Sequence, residues 1–270
     1  MASRPLERLD KILVSRGYAS SRGEAAEMIK SGRVCVKGLV REKPSSMFDP
    51  ESNVGVEDGE KRWVGRGALK LLKALDEWHI ELSGLDCVDI GASTGGFTQV
   101  LLERGAARVA AIDVGYGQLA WELRNDPRVK VMDRVNARYV TVRDIGWQSA
   151  IAVVDASFIS LRILLPRIGE LIREDGVIIA LVKPQFEVGR ERVGKGVVRD
   201  KAFHVDVLAS IAHFAREDCG LVLRGATYSP IRGAEGNIEF IFLLSKQSDN
   251  PPEDATDFEA LTDEAHASLE

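Results

Sequence analysis

The sequence predicts an α/β protein: a mostly parallel, seven-stranded sheet whose last strand is antiparallel, preceded by a small α+β domain. From Gly65 onward, short apolar runs suited to buried strands alternate with amphipathic segments of helical period. The last two apolar runs, Leu221–Tyr228 and 238–244, are too close together for a crossover helix, which makes the last strand antiparallel. Before Gly65, two short helical segments and an alternating run indicate a separate, smaller unit.

Residues 1–59 are the expected small domain, and residues 60–64 are the expected linker. Helices are predicted at 9–14 and 20–29, and strands at 33–38 and Val54–Val56. Ser20 or Ser21 is the expected N-cap of the second helix, because Glu24 follows within the range of a capping box.

Residues 65–246 are the expected α/β domain. Its strands are predicted at 87–90, Arg108–Asp113, 129–132, 150–155, 177–183, Leu221–Tyr228 and 238–244. Its helices are predicted at 68–78, 99–104, 118–123, 161–172 and 204–216. The carboxyl ends of parallel strands meet at one edge of a sheet, which is where ligands of such folds bind.

The composition is that of an ordinary globular protein, with 45% hydrophobic and 29% charged residues. No apolar stretch has the length of a membrane span, and the amino terminus has no apolar signal core. The three cysteines are far apart and have no metal-binding spacing. We therefore expect a cytoplasmic protein with reduced thiols and without a metal site.

Charge is distributed unevenly along the chain, whose net charge is −5. Residues 247–270 contain eight acids and no Lys or Arg, and without them the net charge would be +3. This segment is predicted to be a disordered acidic tail. Residues 1–43 contain ten Lys and Arg but five acids, which favours contact with nucleic acid phosphates, although a solvated surface is the alternative.

A glycine-rich turn follows the first strand of the larger domain, in the segment 89–98 (Asp-Ile-Gly-Ala-Ser-Thr-Gly-Gly-Phe-Thr). The next apolar run ends in Asp113, at a position where an acid accepts the hydroxyls of a ribose. The glycine spacing is not that of dinucleotide folds, and no lysine of a phosphate-cradling loop follows. A nucleoside without a pyrophosphate, such as S-adenosylmethionine, fits best; an ordinary tight turn is the alternative.

Four ionisable residues lie within or at the end of apolar elements: Lys70, Asp155, Lys183 and Glu239. Lys and Glu are costly to bury unless they are paired, so a lysine ending so apolar a strand calls for an acidic partner. Taken singly, Lys70 and Glu239 could face solvent, and Asp155 could cap the following segment. Together they would suit the deprotonation of a weakly acidic hydroxyl, such as that of a ribose.

With those residues in place, the chain resembles the TlyA (hemolysin A) family of rRNA 2′-O-methyltransferases and, more distantly, the RrmJ/FtsJ ribose methyltransferases. The matching motifs of the larger domain are at 65–71, 89–98, 113–119, 154–161, 182–187 and 236–240. Those of the smaller domain, at 8–11, 20–25 and 31–38, resemble the RNA-binding domain named after the fourth small-subunit ribosomal protein. The resemblance implies a Rossmann-like, S-adenosylmethionine-dependent methyltransferase domain behind an RNA-binding domain.

The resemblance also implies roles for individual residues. The implied catalytic tetrad is Lys70, Asp155, Lys183 and Glu239. The implied donor-binding residues are Asp89, Gly91, Ser93, Thr94, Gly95, Gly96, Phe97, Asp113 and Asn136, with Asp133 as a competitor of Asn136. The expected RNA-binding residues are Arg4, Arg8, Arg16, Ser20, Arg22, Lys30, Arg33 and Lys37. Ribosomal RNA or a ribosomal subunit is the implied partner, and no membrane is.

Two other classes of protein compete with this interpretation. A non-catalytic RNA-binding or ribosome-assembly factor would keep both domains but would not need four paired ionisable residues. A membrane-active hemolysin would need a spanning segment or a broad apolar helix face, and the sequence contains neither. The glycine-rich, basic segment 189–200 is predicted to be a mobile loop facing RNA, with a plain connection as its alternative.

Overall fold

The computed structural model describes residues 5–30, 32–36, 39–41, 43–56, 63–188, 196–233, 236–246 and 256–269. The chain divides into two compact units, Met1–Arg66 and Gly67–Glu270. Each unit has its own core.

The smaller unit consists of β1 (Glu7–Arg8), α1 (Leu9–Ser15), α2 (Arg22–Lys30), β2 (Val34–Val36), β3 (Leu39–Val40), β4 (Met47–Phe48) and β5 (Val54–Val56). Strands β3, β2 and β5 form an antiparallel sheet, and β1 pairs with β4. Leu9, Ile12 and Ile29 are among its fully buried core residues. The start of α2 follows the expected pattern, because Ser21 Oγ accepts the Glu24 N–H at 3.2 Å.

The larger unit begins with α3 (Ala68–Glu77), β6 (Asp86–Ile90), α4 (Gly96–Glu103), β7 (Arg108–Asp113), α5 (Trp121–Arg124), β8 (Val129–Asp133), a 3-10 turn (Ala137–Tyr139) and α6 (Val142–Ile145). It continues with β9 (Ser149–Val154), α7 (Leu161–Leu171), β10 (Ile172–Val182), α8 (Pro184–Glu187), α9 (Lys201–Cys219), β11 (Leu221–Tyr228), β12 (Phe240–Lys246) and α10 (Phe258–Leu269).

Seven strands of this unit form one sheet, in the order β11-β12-β10-β9-β6-β7-β8. The pairs from β10 to β8 are all parallel, whereas β12 is antiparallel to both of its neighbours. Every residue of β9 is buried, as expected for a central strand covered on both faces. The predicted fold class, a mostly parallel sheet with an antiparallel last strand, is confirmed.

Strand β10 begins at Ile172, five residues earlier than the sequence indicates. Its pairing with β9 is interrupted by a register shift between Ile172 and Val177. The charged residues and Gly176 in this stretch have the composition of a turn. Gly176 allows the close approach of the two strands, since a Cβ there would lie 3.0 Å from the Ala150 carbonyl oxygen. Because of this bulge, the first half of the strand lacks the apolar pattern by which strands are predicted from sequence.

The prediction that residues 247–270 are disordered is wrong for Phe258–Leu269, which form α10. Thr262, Ala265 and Leu269 recur at helical spacing and are buried. The Phe258 ring stacks on Phe242 of β12, with 5.9 Å between the centroids. The prediction of disorder rested on the low apolar content of this segment. Its few apolar residues nevertheless recur at helical spacing and form one buried face. Residues 247–255 lie outside the described part of the chain.

A histidine pair joins α10 to α9, where His204 Nδ1 lies 3.0 Å from His266 Nε2. Burial, reinforced by the charge of His266, lowers the pKa of His204 to about 4. Between pH 6.5 and 4 the unfolded chain therefore binds a proton that the folded chain does not, and the free energy of unfolding from this source falls as the pH falls.

We expect His204→Gln to reduce the loss of thermal stability between pH 7 and pH 4.5. Thermal unfolding at several pH values measures this dependence. The matched control is His213→Gln, because His213 is an exposed residue of the same helix. An unaltered pH dependence in His204→Gln would contradict the assignment.

Candidate active site

The structure brings together the four ionisable residues that the sequence singles out. Lys70 Nζ lies 2.7 Å from Glu239 Oε2 and 3.4 Å from Asp155 Oδ2. Lys183 Nζ lies 2.5 Å from Asp155 Oδ1. Lys70 is 7% exposed and Glu239 is 2% exposed, so the alternative in which they face solvent is wrong. The four side chains form an alternating network of two cations and two anions.

The sheet topology explains this convergence. Asp155 follows β9 and Lys183 follows β10, and these neighbouring parallel strands end at the same edge of the sheet. Glu239 directly precedes β12, whose first residue, Phe240, pairs with Val182 at the end of β10. The antiparallel direction of β12 thus brings its beginning to the edge at which the parallel strands end.

Electrostatics keep Lys70 and Asp155 of this network ionised. Burial opposes the charge of Lys70, but the carboxylates of Asp155 and Glu239 outweigh burial and raise the Lys70 pKa. Burial likewise opposes the charge of Asp155, yet Lys70 and Lys183 together lower the Asp155 pKa. Near neutral pH, Lys70 is therefore a cation and Asp155 an anion that bridges the two lysines. Buried charges are tolerated when they are paired in this way.

Ser157 is a member of this site that the sequence analysis did not assign. Its hydroxyl accepts a hydrogen bond from Lys183 Nζ at 3.0 Å. Its position two residues beyond Asp155, in a matching motif, was the available signal. Ser157 and Asp155 orient the Lys183 ammonium from two sides.

A cavity of about 320 Å³ opens beside the network, at the carboxyl ends of β6, β7 and β9. It is lined by Ile90, Gly91, Ser93, Ile112, Asp113, Val114, Gln118, Val135, Asn136, Ala137, Asp155, Ala156, Ser157, Phe158, Ile159 and Leu164. Apolar walls with a few polar groups are typical of small-molecule sites. Asp155 and Ser157 belong both to this lining and to the surroundings of Lys183.

Four of the predicted donor-binding residues line the cavity: Gly91, Ser93, Asp113 and Asn136. The other five, Asp89, Thr94, Gly95, Gly96 and Phe97, are absent from the lining. Asp89 is fully buried and accepts a hydrogen bond from the Thr98 hydroxyl at 2.6 Å. Burial raises its pKa to about 7. Asp89 thus links the end of β6 to α4 beneath the glycine-rich turn, and its role in donor binding stays a prediction.

A glycine is required at position 91, in the cavity lining, for two reasons. Its φ of +88° lies in the left-handed region that glycine adopts readily. A Cβ at this position would lie 2.8 Å from the Asp155 carbonyl oxygen. The absence of a side chain therefore allows the turn after β6 to approach the end of β9.

Asp113 organises the rim of the cavity. Its carboxylate accepts the backbone N–H groups of Ser93 at 2.8 Å and Gly115 at 2.7 Å. Between the two candidates for the neighbouring position, the structure favours Asn136, which lines the cavity. Asp133 instead forms an ion pair with Arg124 at 2.6 Å.

Two further lining residues, Gln118 and Phe158, were not assigned from the sequence. Gln118 Oε1 accepts a hydrogen bond from the Ser93 hydroxyl at 3.3 Å. Phe158 is 90% exposed and has a φ of +63°, and its ring centroid is 5.2 Å from that of Phe186. A left-handed, solvent-exposed phenylalanine contradicts local propensity, so composition and periodicity could not indicate its position.

Three of the expected RNA-binding cations, Arg8, Arg16 and Arg22, have partners within the smaller unit. Arg8 and Arg22 both contact the buried carboxylate of Asp10, at 2.8 and 2.9 Å. Arg8 contributes most to the lowered Asp10 pKa, against the opposing effect of burial. Arg16 donates to the Pro50 carbonyl. These arginines therefore also stabilise the fold, although the side chains of Arg8 and Arg22 remain 41% and 55% exposed.

The other predicted RNA-binding residues of the smaller unit include described residues and residues outside the described part of the chain. Ser20 donates its hydroxyl to Glu24 at 2.5 Å, and exposed Lys30 lies 3.6 Å from Glu27. Arg33 is half-buried. Arg4 and Lys37 lie outside the described residues, as do 189–195 of the predicted RNA-facing loop. An RNA-binding role for this set stays a prediction.

Comparison with known proteins identifies the class to which this fold and site belong. Residues 63–246 match the FtsJ-like methyltransferase family, and residues 7–54 match the S4 domain. The chain belongs to the FtsJ-like methyltransferase family and carries an S4 domain before its methyltransferase domain. It is therefore an enzyme of the methyltransferase class.

Within that class the chain belongs with the TlyA proteins. It is 46% identical, over 97% of both chains, to the 16S/23S rRNA (cytidine-2′-O)-methyltransferase TlyA of Mycobacterium tuberculosis. It is 38% identical to hemolysin A of Brachyspira hyodysenteriae, over 87% of this chain and 98% of that one. A solved structure of a proposed hemolysin from Streptococcus thermophilus has a TM-score of 0.76 and 38% identity, covering 99% of this chain and 98% of that one.

The hemolysin names of some relatives raise the question of membrane insertion. Among the described residues, no helix combines the length and the apolar character needed to cross a bilayer.

Proposed function

We propose that the chain methylates a ribose 2′-hydroxyl of ribosomal RNA with S-adenosylmethionine as the methyl donor. The observation that carries the proposal is the Lys70–Asp155–Lys183–Glu239 network beside a cavity of about 320 Å³. A ribose hydroxyl is weakly acidic, so its methylation needs a charged environment that favours loss of its proton. The printed activity of the Mycobacterium tuberculosis relative supports the same substrate class.

The residues around the cavity fit a nucleoside sulfonium. Gly91 lines the cavity and lets the turn after β6 approach the end of β9, and Asp113 offers carboxylate oxygens in the lining. Val135 and Ala137 supply apolar surface close to Asn136, whose amide suits the edge of a base. When bound, S-adenosylmethionine supplies the methyl group, whose bond to the sulfonium sulfur breaks as a bond to the ribose oxygen forms.

Lys183 is the residue that we assign to the ribose hydroxyl. Its ammonium contacts two residues of the cavity wall, Asp155 and Ser157. An ammonium held in this position donates to the hydroxyl oxygen and stabilises the negative charge that develops as the hydroxyl proton passes to solvent water. Asp155 orients Lys183 through their ion pair at 2.5 Å.

Lys70 and Glu239 have a supporting role in this proposal. The raised pKa of Lys70, caused by Asp155 and Glu239 against the effect of burial, keeps it protonated. Lys183 contacts two residues of the cavity wall, Asp155 and Ser157, whereas Lys70 contacts only one of them, Asp155, which favours Lys183 as the residue at the hydroxyl. Lys70 instead fixes Asp155 from the side opposite to Lys183, and Glu239 fixes Lys70 at 2.7 Å.

The smaller unit is the proposed RNA-binding domain, with residues 60–64 as the linker to a methyltransferase domain at 65–246. Its S4 match and the ten Lys and Arg of residues 1–43 support this role. Contacts to phosphates would provide affinity and salt dependence, while the fold of the ribosomal RNA would select the site.

Ribosomal RNA from cells with and without the gene tests the proposed function. We expect a 2′-O-methylated nucleotide that disappears with the gene and returns when the wild-type chain is expressed. Return of the methylation by a Lys183→Ala chain would refute the catalytic assignment. A defect in subunit assembly without any change in methylation would favour the alternative of a non-catalytic assembly factor.

Asp113→Asn is expected to weaken donor binding about 10- to 100-fold, because hydrogen bonds to a charged acceptor contribute about 1.5–3 kcal/mol. Calorimetric titration with S-adenosylmethionine measures the effect. Asp126→Asn is the matched control, because Asp126 forms a surface ion pair with Arg128 at 2.7 Å. Equal donor affinities for the two variants would remove Asp113 from the donor site.

A further inference from the structure

The loop between β11 and β12 determines where Glu239 lies. The Glu239 carbonyl accepts the Ser229 N–H at 2.8 Å, and Gly233 N–H donates to the Asn237 carbonyl at 2.9 Å. Gly233 lies against the Glu239 side chain so closely that a Cβ on it would be 2.3 Å from Oε1. The position of this carboxylate therefore depends on the main chain of the loop.

Arg232 ties this loop to the end of α10. Its Nη1 donates to the Gly236 carbonyl at 2.9 Å. Its Nε and Nη2 both donate to the Leu269 carbonyl, at 3.0 and 2.7 Å. The last carbonyls of a helix have no partners within the helix and carry a partial negative charge, so a guanidinium is a favourable partner. One planar side chain thus spans two segments that are far apart in sequence.

Several contacts hold helix α10 against the rest of the larger unit. Asp263 forms an ion pair with Lys201 of α9 at 2.5 Å. The Tyr228 hydroxyl at the end of β11 lies 3.1 Å from the Ser268 hydroxyl. The stacking of Phe258 on β12 and the histidine pair with α9 add two further contacts. A helix fixed at both of its ends can serve as an anchor for Arg232.

We propose that Arg232 and Phe258–Leu269, together the α10 brace, position Glu239 for methyl transfer. The inference rests on the proposed function, because the reaction that it affects is the proposed one. Arg232 is a positioning residue, since its guanidinium contacts loop and helix carbonyls. Through Glu239 the brace also fixes Lys70, which lies 2.7 Å from the Glu239 carboxylate. Helix α10 of the acidic segment 247–270 would thus help to position the Glu239 carboxylate.

Arg232→Gln tests the brace in the full-length protein. We expect kcat on ribosomal subunits to fall about 10- to 100-fold, because a displacement of about 1 Å in a reacting site costs this much. The Kd for S-adenosylmethionine should stay within about 2-fold, since Arg232 is absent from the lining of the cavity. Arg216→Gln is the matched control, because the Arg216 side chain is 64% exposed at the end of α9.

A second chain that lacks residues 256–270, with and without Arg232→Gln, shows whether Arg232 acts through helix α10. If it does, Arg232→Gln adds little to the loss of kcat in the shortened chain, because the anchor has already gone. A full additional loss would restrict the effect to the Gly236 contact and overturn the role of α10. If the shortened chain does not fold, Arg232→Gln in the unshortened chain still tests whether Arg232 positions Glu239, and a wild-type kcat in that variant would overturn the brace.

Amide hydrogen exchange separates failure of the brace from failure of the proposed function. In Arg232→Gln the Ser229 and Gly233 amides should exchange faster, a result that requires no substrate. Wild-type kcat together with wild-type exchange at these amides would overturn the brace. A loss of kcat that only follows the unfolded fraction, measured by thermal unfolding, would also overturn it. Absence of methyl transfer by the wild-type chain counts against the proposed function, and the exchange rates still decide the brace.

Discussion

Lys183→Ala is expected to lower the rate of methyl transfer about 10²- to 10⁴-fold, the contribution of a positioned acid–base group. Lys183 lies 2.5 Å from Asp155 and 3.0 Å from the Ser157 hydroxyl at the wall of the cavity. In the proposed mechanism, its loss removes the group that lies next to the ribose oxygen from which a proton must leave. Donor affinity should be retained, because Lys183 is absent from the cavity lining.

Single-turnover methyl transfer to purified subunits measures the first effect, and calorimetry with S-adenosylmethionine measures the second. The control variant is Lys246→Ala, whose lysine forms an ion pair with Glu174 at the far end of β12. Lys246 lies six positions along the strand from Phe240 at the start of β12, a distance of roughly 20 Å. Equal rates for Lys183→Ala and Lys246→Ala would refute the role of Lys183.

Asp155→Asn is expected to reduce both activity and stability. The substitution preserves shape but removes the anion that bridges two ammonium groups, each less than a tenth exposed. Breaking a buried ion pair costs about 3–5 kcal/mol, and we expect the free energy of unfolding to fall by about 3 kcal/mol because the Asp155 side chain is 18% exposed. Methyl transfer should fall with it, since Lys183 loses the partner that orients it.

Urea unfolding of Asp155→Asn at several pH values measures the stability effect. The pKa of Asp155 is lowered by Lys70 and Lys183 against the effect of burial, so its stabilisation is complete above the ordinary aspartate pKa of about 4. The difference from the wild type should shrink as the pH falls below that value. Asp86→Asn is the control, because Asp86 pairs with Arg108 at the surface and should contribute less than about 1 kcal/mol. A constant difference down to pH 2.5 would contradict this account.

The convergence of charged side chains at the strand ends could be predicted from the sequence. Asp155 and Lys183 each follow an apolar run that is long enough only for a strand, and parallel strands end at one edge. The cost of burying Lys183 alone pointed to an acidic partner. The sequence left open whether Lys70 and Glu239 face solvent, because one charge within an apolar run does not define the direction of a side chain.

Other features depended on contacts between segments distant in sequence. Helix α10 is stabilised by the side chains of α9 and β12, and composition alone favoured disorder for its acidic segment. From the sequence, Arg8 and Arg22 contributed only to the positive charge of the smaller domain. Their ion pairs with Asp10 are visible only in the structure. The glycine-rich turn was found correctly, but pattern analysis could not separate Gly91 at the cavity from Asp89 beneath it.

Transfer of labelled methyl groups from S-adenosylmethionine to ribosomal RNA in purified subunits tests the central claim most directly. After alkaline hydrolysis, a label on a ribose 2′-oxygen remains in a dinucleotide, because the blocked hydroxyl cannot cleave the neighbouring phosphodiester. We predict such alkali-resistant label with the wild-type chain and its loss with Lys183→Ala. Label recovered only in mononucleotides, as methylation of a base would give, would contradict the account.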